Sequence, residues 1–71
     1  MRREQILRVA INAPLSRLFD YLEPPSWRRT PEPGCRLRVP FGRKTRTAML
    51  FEVGESSELP LTKLRPAHEI L

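Results

Sequence analysis

Eight prolines run from Pro14 to Pro66 in a chain of 71 residues, and their spacing limits the fold more than any other feature. Proline lacks a backbone donor and clashes with the preceding helical turn, so it interrupts helix interiors and central strands alike. The sequence leaves no room for helices of useful length, apart from a short one near the N-terminus. A helix bundle or coiled coil is excluded. A chain this short also buries only about 60% of the surface its unfolded form exposes, so one domain with a small core is expected.

Between the prolines, the apolar residues repeat every second position. Ile6 to Asn12 sets Leu7, Val9 and Ile11 against Arg8, Ala10 and Asn12, the pattern of a half-buried strand that Asn12-Ala13-Pro14 ends. Leu18 to Leu22 puts Phe19 and Tyr21 on one face and Leu18, Asp20 and Leu22 on the other. Glu23 to Gly34 is rich in proline and reads as a loop. Cys35 to Pro40 alternates again, with Cys35, Leu37 and Val39 inward and Arg36 and Arg38 outward. Phe41-Gly42-Arg43-Lys44 is a turn, where Gly42 adopts a positive φ at low cost. Thr45 to Val53 is the longest strand, with Thr47, Met49, Phe51 and Val53 alternating against Ala48, Leu50 and Glu52. Leu59, Leu61 and Leu64 suit a brief helical turn, and Ala67 to Leu71 a closing strand. The expected fold is mainly β: a small curled sheet or OB-like barrel of about five short strands with at most a short helical turn.

The chemistry the chain lacks is equally informative. Its one cysteine, Cys35, forms no internal disulfide or multi-cysteine zinc site, and alternates with Leu37 and Val39 as a small core residue. A fold without covalent staples suits a reducing cytosol. No apolar stretch reaches the length of a signal-peptide core or a membrane span. The single histidine, His68, near the C-terminus, reads as a surface or packing residue, and no phosphate-binding glycine loop or metalloprotease motif occurs. No catalytic role is expected, and no cofactor or metal.

The net charge of +5 is unevenly placed. Residues 28–46 hold Arg28, Arg29, Arg36, Arg38, Arg43, Lys44 and Arg46 against Glu32 alone, a net +6, whereas residues 47–71 carry a net −2. Eleven of the thirteen basic residues are arginine, whose planar fork suits phosphate and stacks on bases. The block is the electrostatic footprint of a nucleic-acid partner, or else a solvated strand face. Within it, Arg36, Arg38, Arg43, Lys44 and Arg46 are the candidate contacts to a phosphate backbone.

Two further segments carry recognition chemistry. Asp20, the sole aspartate, sits between Phe19 and Tyr21 and accepts hydrogen bonds, from a sugar hydroxyl, from a base amino group or from a backbone donor in a turn. Trp27, ahead of Arg28-Arg29 in the proline-rich loop, reads as a stacking platform or as a cover over one mouth of a small barrel.

Val9-Ala10-Ile11 with Pro14-Leu15, Phe19-Asp20-Tyr21-Leu22, the run Gly34 to Arg43 (GCRLRVPFGR) and Glu58-Leu59-Pro60-Leu61 together resemble the N-terminal domain of PriA, the bacterial primosomal protein N′. The resemblance covers almost the whole chain in order. It implies a fragment of a larger ATP-dependent 3′–5′ helicase, whose ATP and zinc sites belong to other domains. The family's domain binds the 3′ end of the nascent leading strand at stalled forks, and the matching positions are Phe19, Asp20, Tyr21, Gly42 and Arg65. The family often has lysine at the last of these, and a Gly-[Ile/Val]-[Ile/Val] start to the long strand where this chain has Ala48-Met49-Leu50. The resemblance also implies DNA with a free 3′ end as partner, single-strand binding protein and primosome proteins as further partners through the parent, and a cytoplasmic, nucleoid-associated place. An alternative is a protein-interaction module, its basic block meeting an acidic partner such as the tail of single-strand binding protein or another domain of the parent.

Overall fold

In the computed structural model, residues 5–12 and 17–71 are described; the Pro14-Leu15 pair and the first four residues lie outside them. The alternating segments become strands β1 (Ile6–Ile11), β2 (Leu18–Leu22), β3 (Arg36–Phe41), β4 (Lys44–Gly54) and β5 (Glu69–Ile70). One 3-10 turn, Leu61–Lys63, completes the regular structure, fixed by Lys63 and Leu64 amides donating to the Pro60 and Leu61 carbonyls. Ile6–Ile11 is a strand as its alternation predicts, with Leu7, Val9 and Ile11 on one buried face, and leaves no helix among the described residues near the N-terminus. Among the described residues no helix is long and apolar enough to cross a membrane.

The five strands form one antiparallel sheet in the order β2-β1-β4-β3-β5. The C-terminal segment then touches both edges. On the β3 side, the His68 and Leu71 amides donate to the Arg38 and Arg36 carbonyls at 2.7 and 2.9 Å. On the β2 side, Leu22 bridges Pro66 in parallel, with its amide donating to Arg65 and its carbonyl accepting from Ala67. Residues 65–71 thereby satisfy the open donors and acceptors of two edge strands, which are otherwise templates for aggregation.

The interior holds Leu7, Val9, Ile11, Tyr21, Leu37, Val39, Ala48 and Leu50, with Trp27, Cys35, Phe19 and Phe41 packed against them. Leu7, Val9, Leu37, Val39 and Leu50 are essentially inaccessible, each contributing about 1.5–3 kcal/mol over an exposed position. Trp27 therefore covers the barrel interior, and Cys35 packs half-buried beside Leu37.

The long strand departs from strict alternation at one place. Arg8 pairs with Glu52 and Val9 with Leu50, so Phe51 is an extra residue in β4, a β-bulge. Before it, Ala48 and Leu50 face inward and Met49 outward; after it, Val53 turns inward. The single face expected for Met49, Phe51 and Val53 thus splits at the bulge, with Met49 and Phe51 exposed. The bulge also brings Glu52, in place of Phe51, opposite Arg8.

Candidate nucleic-acid interface

Where β2, the β3–β4 turn and the segment 57–65 meet, they enclose an open cavity of about 670 Å³. Its scale is that of a small-ligand site. Phe19, Asp20, Tyr21, Gly42 and Arg65, which lie far apart in sequence, all line it. Their convergence follows from the closure of the sheet, which carries residues 64–67 back alongside β2.

Asp20 stands opposite Arg8 across the β1–β2 pair. Its Oδ1 accepts from Arg8 Nε at 2.9 Å and its Oδ2 from Ser57 Oγ at 2.5 Å. Ser57 Oγ in turn accepts from the Leu59 amide, so the 57–59 turn and the carboxylate hold each other. The Asp20 side chain is mostly buried, at 16% exposure. An ionised carboxylate offers about four acceptor positions, of which these two bonds use one on each oxygen.

Arg8 makes two further bonds: Nη1 donates to Glu52 Oε1 at 2.7 Å and Nη2 to the Ser56 carbonyl at 3.1 Å. Hydrogen bonding to Asp20, and then to Glu52, pushes the guanidinium pKa still higher than usual. It stays a cation under all working conditions.

The apolar wall is aromatic. Phe19 meets Phe41 edge to face at 5.2 Å between centroids, an arrangement that favours the ring quadrupoles. The Arg17 guanidinium lies 4.8 Å from the Phe19 centroid, within cation–π range. Tyr21 points its hydroxyl into the interior, donating to the Pro40 carbonyl at 2.6 Å. Burial raises the phenol pKa, with the Arg65 charge opposing. The phenol therefore fixes the base of the β3–β4 hairpin beneath the cavity.

Gly42 occupies the first central position of the two-residue turn, with φ +62°, followed by Arg43. Among the described residues no non-glycine has positive φ, so the turn has the pattern of a type II′ hairpin. Arg65 Nη1 donates to the Gly42 carbonyl at 3.1 Å, tying the turn to the C-terminal segment. A Cβ on Gly42 would meet no heavy atom within 4 Å, so the space beside the turn is open to a ligand.

Among the described residues, four cations, Arg8, Arg17, Lys63 and Arg65, line the cavity beside two carboxylates, Asp20 and Glu58. Arg8, Arg17, Ser57 and Lys63 were not among the residues expected from sequence. Only strand pairing and closure bring them in, and the sole sequence signal was that Arg8 breaks an otherwise apolar strand. The basic residues expected to contact phosphate stand elsewhere. Arg36 and Arg38 lie on the outer face of β3, with Arg38 paired to Glu69 at 3.2 Å, and Arg43, Lys44 and Arg46 on the exposed β3–β4 hairpin. None of these five reaches the cavity. They make the β3–β4 hairpin a separate basic arm, with Arg36 and Arg38 on one face and Lys44 and Arg46, paired with Phe41 and Val39, on the other.

A family profile described as "3′DNA-binding domain (3′BD)" of PriA matches residues 8–71. The replication restart protein PriA of Haemophilus influenzae is 39% identical over 61 residues, covering 86% of this chain and 8% of that protein. The chain thus spans a small part of the length of the curated relative it matches.

Proposed function

Because the chain belongs to the PriA 3′ DNA-binding domain family, we propose that it reads the 3′-hydroxyl end of a DNA strand in replication restart, with Asp20 accepting the hydrogen bond of the terminal hydroxyl. The observation that carries this reading is the Asp20 carboxylate itself, fixed by Arg8 and Ser57 at the wall of a cavity that rings and cations also line.

Each group has a part in the binding. The basic arm of Arg36, Arg38, Arg43, Lys44 and Arg46 draws in the sugar-phosphate backbone, a term without sequence information. Arg65 and Lys63 meet the phosphate that joins the last two nucleotides, and Gly42 lets the strand approach the backbone. Phe19, with Arg17 over its ring, offers a surface on which any base stacks. Base identity matters little, because the groups assigned to the base contact its face and not its edges.

A terminal phosphate would set a dianion against the Asp20 carboxylate, so an unphosphorylated end is preferred. In a larger protein of this family, such end binding positions the helicase on the nascent leading strand at a stalled fork. Fluorescence anisotropy with matched single strands ending in 3′-hydroxyl or 3′-phosphate tests the reading. Tighter binding of the hydroxyl end is expected, and equal affinity for both overturns end recognition.

A further inference from the structure

We propose that Glu52, which does not line the cavity, is a positioning residue for the end preference: it pins Arg8 so that this cation is withheld from a terminal phosphate. The inference rests on the reading of Asp20 as the acceptor of the terminal hydroxyl.

Arg8 is the cation in direct contact with Asp20, and a terminal phosphate beside Asp20 would lie within its reach. An unrestrained arginine would turn its fork onto such a phosphate bidentately and favour the wrong end. The structure removes that freedom. Nε is taken by Asp20, Nη1 by Glu52 at 2.7 Å and Nη2 by the Ser56 carbonyl at 3.1 Å. Three acceptors, one on each nitrogen, take three of the five N–H donors and fix both the plane and the rotation of the guanidinium. Glu52 is the only carboxylate among them besides Asp20, so its bond is charge-assisted. Its place opposite Arg8 is created by the Phe51 bulge, since regular pairing would bring Phe51 there.

The arrangement is thus a cation whose charge holds Asp20 in place while three of its five donors are engaged and its orientation is fixed. Loss of Glu52 releases Nη1 and removes a negative charge from behind Arg8. Both effects admit a phosphate. The side chain of Glu52 is 49% exposed, so its replacement leaves the core untouched.

The test measures affinities of the whole chain for matched strands ending in 3′-hydroxyl or 3′-phosphate, for the parent sequence, Glu52→Gln, Glu52→Ala and Glu32→Gln. Circular dichroism verifies that each variant is folded. Glu32→Gln makes the same charge change in the exposed proline-rich loop. The expected result is that Glu52→Ala raises 3′-phosphate affinity relative to 3′-hydroxyl about fivefold, the scale of one lost exposed ion pair. Glu52→Gln, which keeps an acceptor oxygen, gives a smaller rise, and Glu32→Gln leaves the ratio unchanged. A ratio unaltered by Glu52→Ala, or altered equally by Glu32→Gln, overturns the role of Glu52 while end recognition stands. A parent chain that binds both ends alike instead overturns end recognition, and this inference with it.

Discussion

Arg8 and Asp20 face each other across β1 and β2 and close a 2.9 Å ion pair between Nε and Oδ1 at the cavity wall. The pair does more than join two strands. The same guanidinium reaches β4 through Glu52 and the loop beyond it through the Ser56 carbonyl, so four chain segments fix one carboxylate. With Arg8 at 27% side-chain exposure, solvent screens part of the attraction, and the bond serves geometry more than stability.

Asp20→Asn keeps the shape of the side chain but loses the charged acceptor. Binding of 3′-hydroxyl strands is expected to weaken about tenfold, the value of a hydrogen bond to a charged group. Binding of 3′-phosphate strands changes little or improves. Anisotropy titrations of both strands check this, and an equal loss on both contradicts the role given to Asp20.

Gly42 separates the turn from the cavity. Gly42→Asn places a side chain at the positive-φ first position of a type II′ turn, which favours glycine, so the hairpin loses about 1–2 kcal/mol. The new side chain projects into space that is open in the structure. A cooperative melt at lowered Tm, together with DNA binding weakened at a temperature where the variant is fully folded, is the expected pair of results. A variant that binds DNA as the parent does shows that no ligand approaches this backbone.

The basic arm predicts a salt dependence separable from end recognition. With about three phosphates contacted on a single strand, log K falls against log salt with a slope of about −2. Arg43→Ala and Arg46→Ala each reduce that slope by about 0.7. Because neither residue lines the cavity, the ratio of 3′-hydroxyl to 3′-phosphate affinity stays the same in both variants.

Tyr21→Phe deletes a buried donor and leaves the Pro40 carbonyl unpaired. The expected cost is about 1 kcal/mol, a fall of about 4–8 °C in Tm for a domain this small. A pH effect accompanies it. Burial raises the phenol pKa in the folded chain, so the unfolded chain ionises first. The stability involved is complete below the ordinary tyrosine pKa of about 10 and is lost as pH rises through the folded value. Melts on either side of that value should show a steeper alkaline loss for the parent than for Tyr21→Phe.

Much of this architecture is legible in the chain because a strand carries its own two faces. Leu7, Val9 and Ile11, and again Leu37 and Val39, alternate cleanly, and both sets are buried as the period predicts. Leu59, Leu61 and Leu64 mark the 3-10 turn, although only Leu64 is buried there. What alternation cannot give is pairing. The residues around Asp20 are partners across strands, and nothing in the local pattern joins Arg8 to Glu52, 44 positions apart. The same limit hid the separation of the basic block from the cavity. The charge total fixed its sign and its stretch of sequence, while the hairpin geometry decided which cations stand where.

In β4, strand length and strand facing are set independently. Phe51 has no counterpart on β1, so the ladder on either side of it stays in register without it. Excising Phe51 would leave Leu50 opposite Val9 and Glu52 opposite Arg8, giving up the local bend but exchanging no neighbour. A residue lost anywhere else between Ala48 and Val53 could keep register only if Phe51 took a paired position, with its ring turned into the ladder. The strand thus holds one spare position next to the Arg8–Glu52 pair, where a change of length is absorbed before it disturbs the pairing on either side.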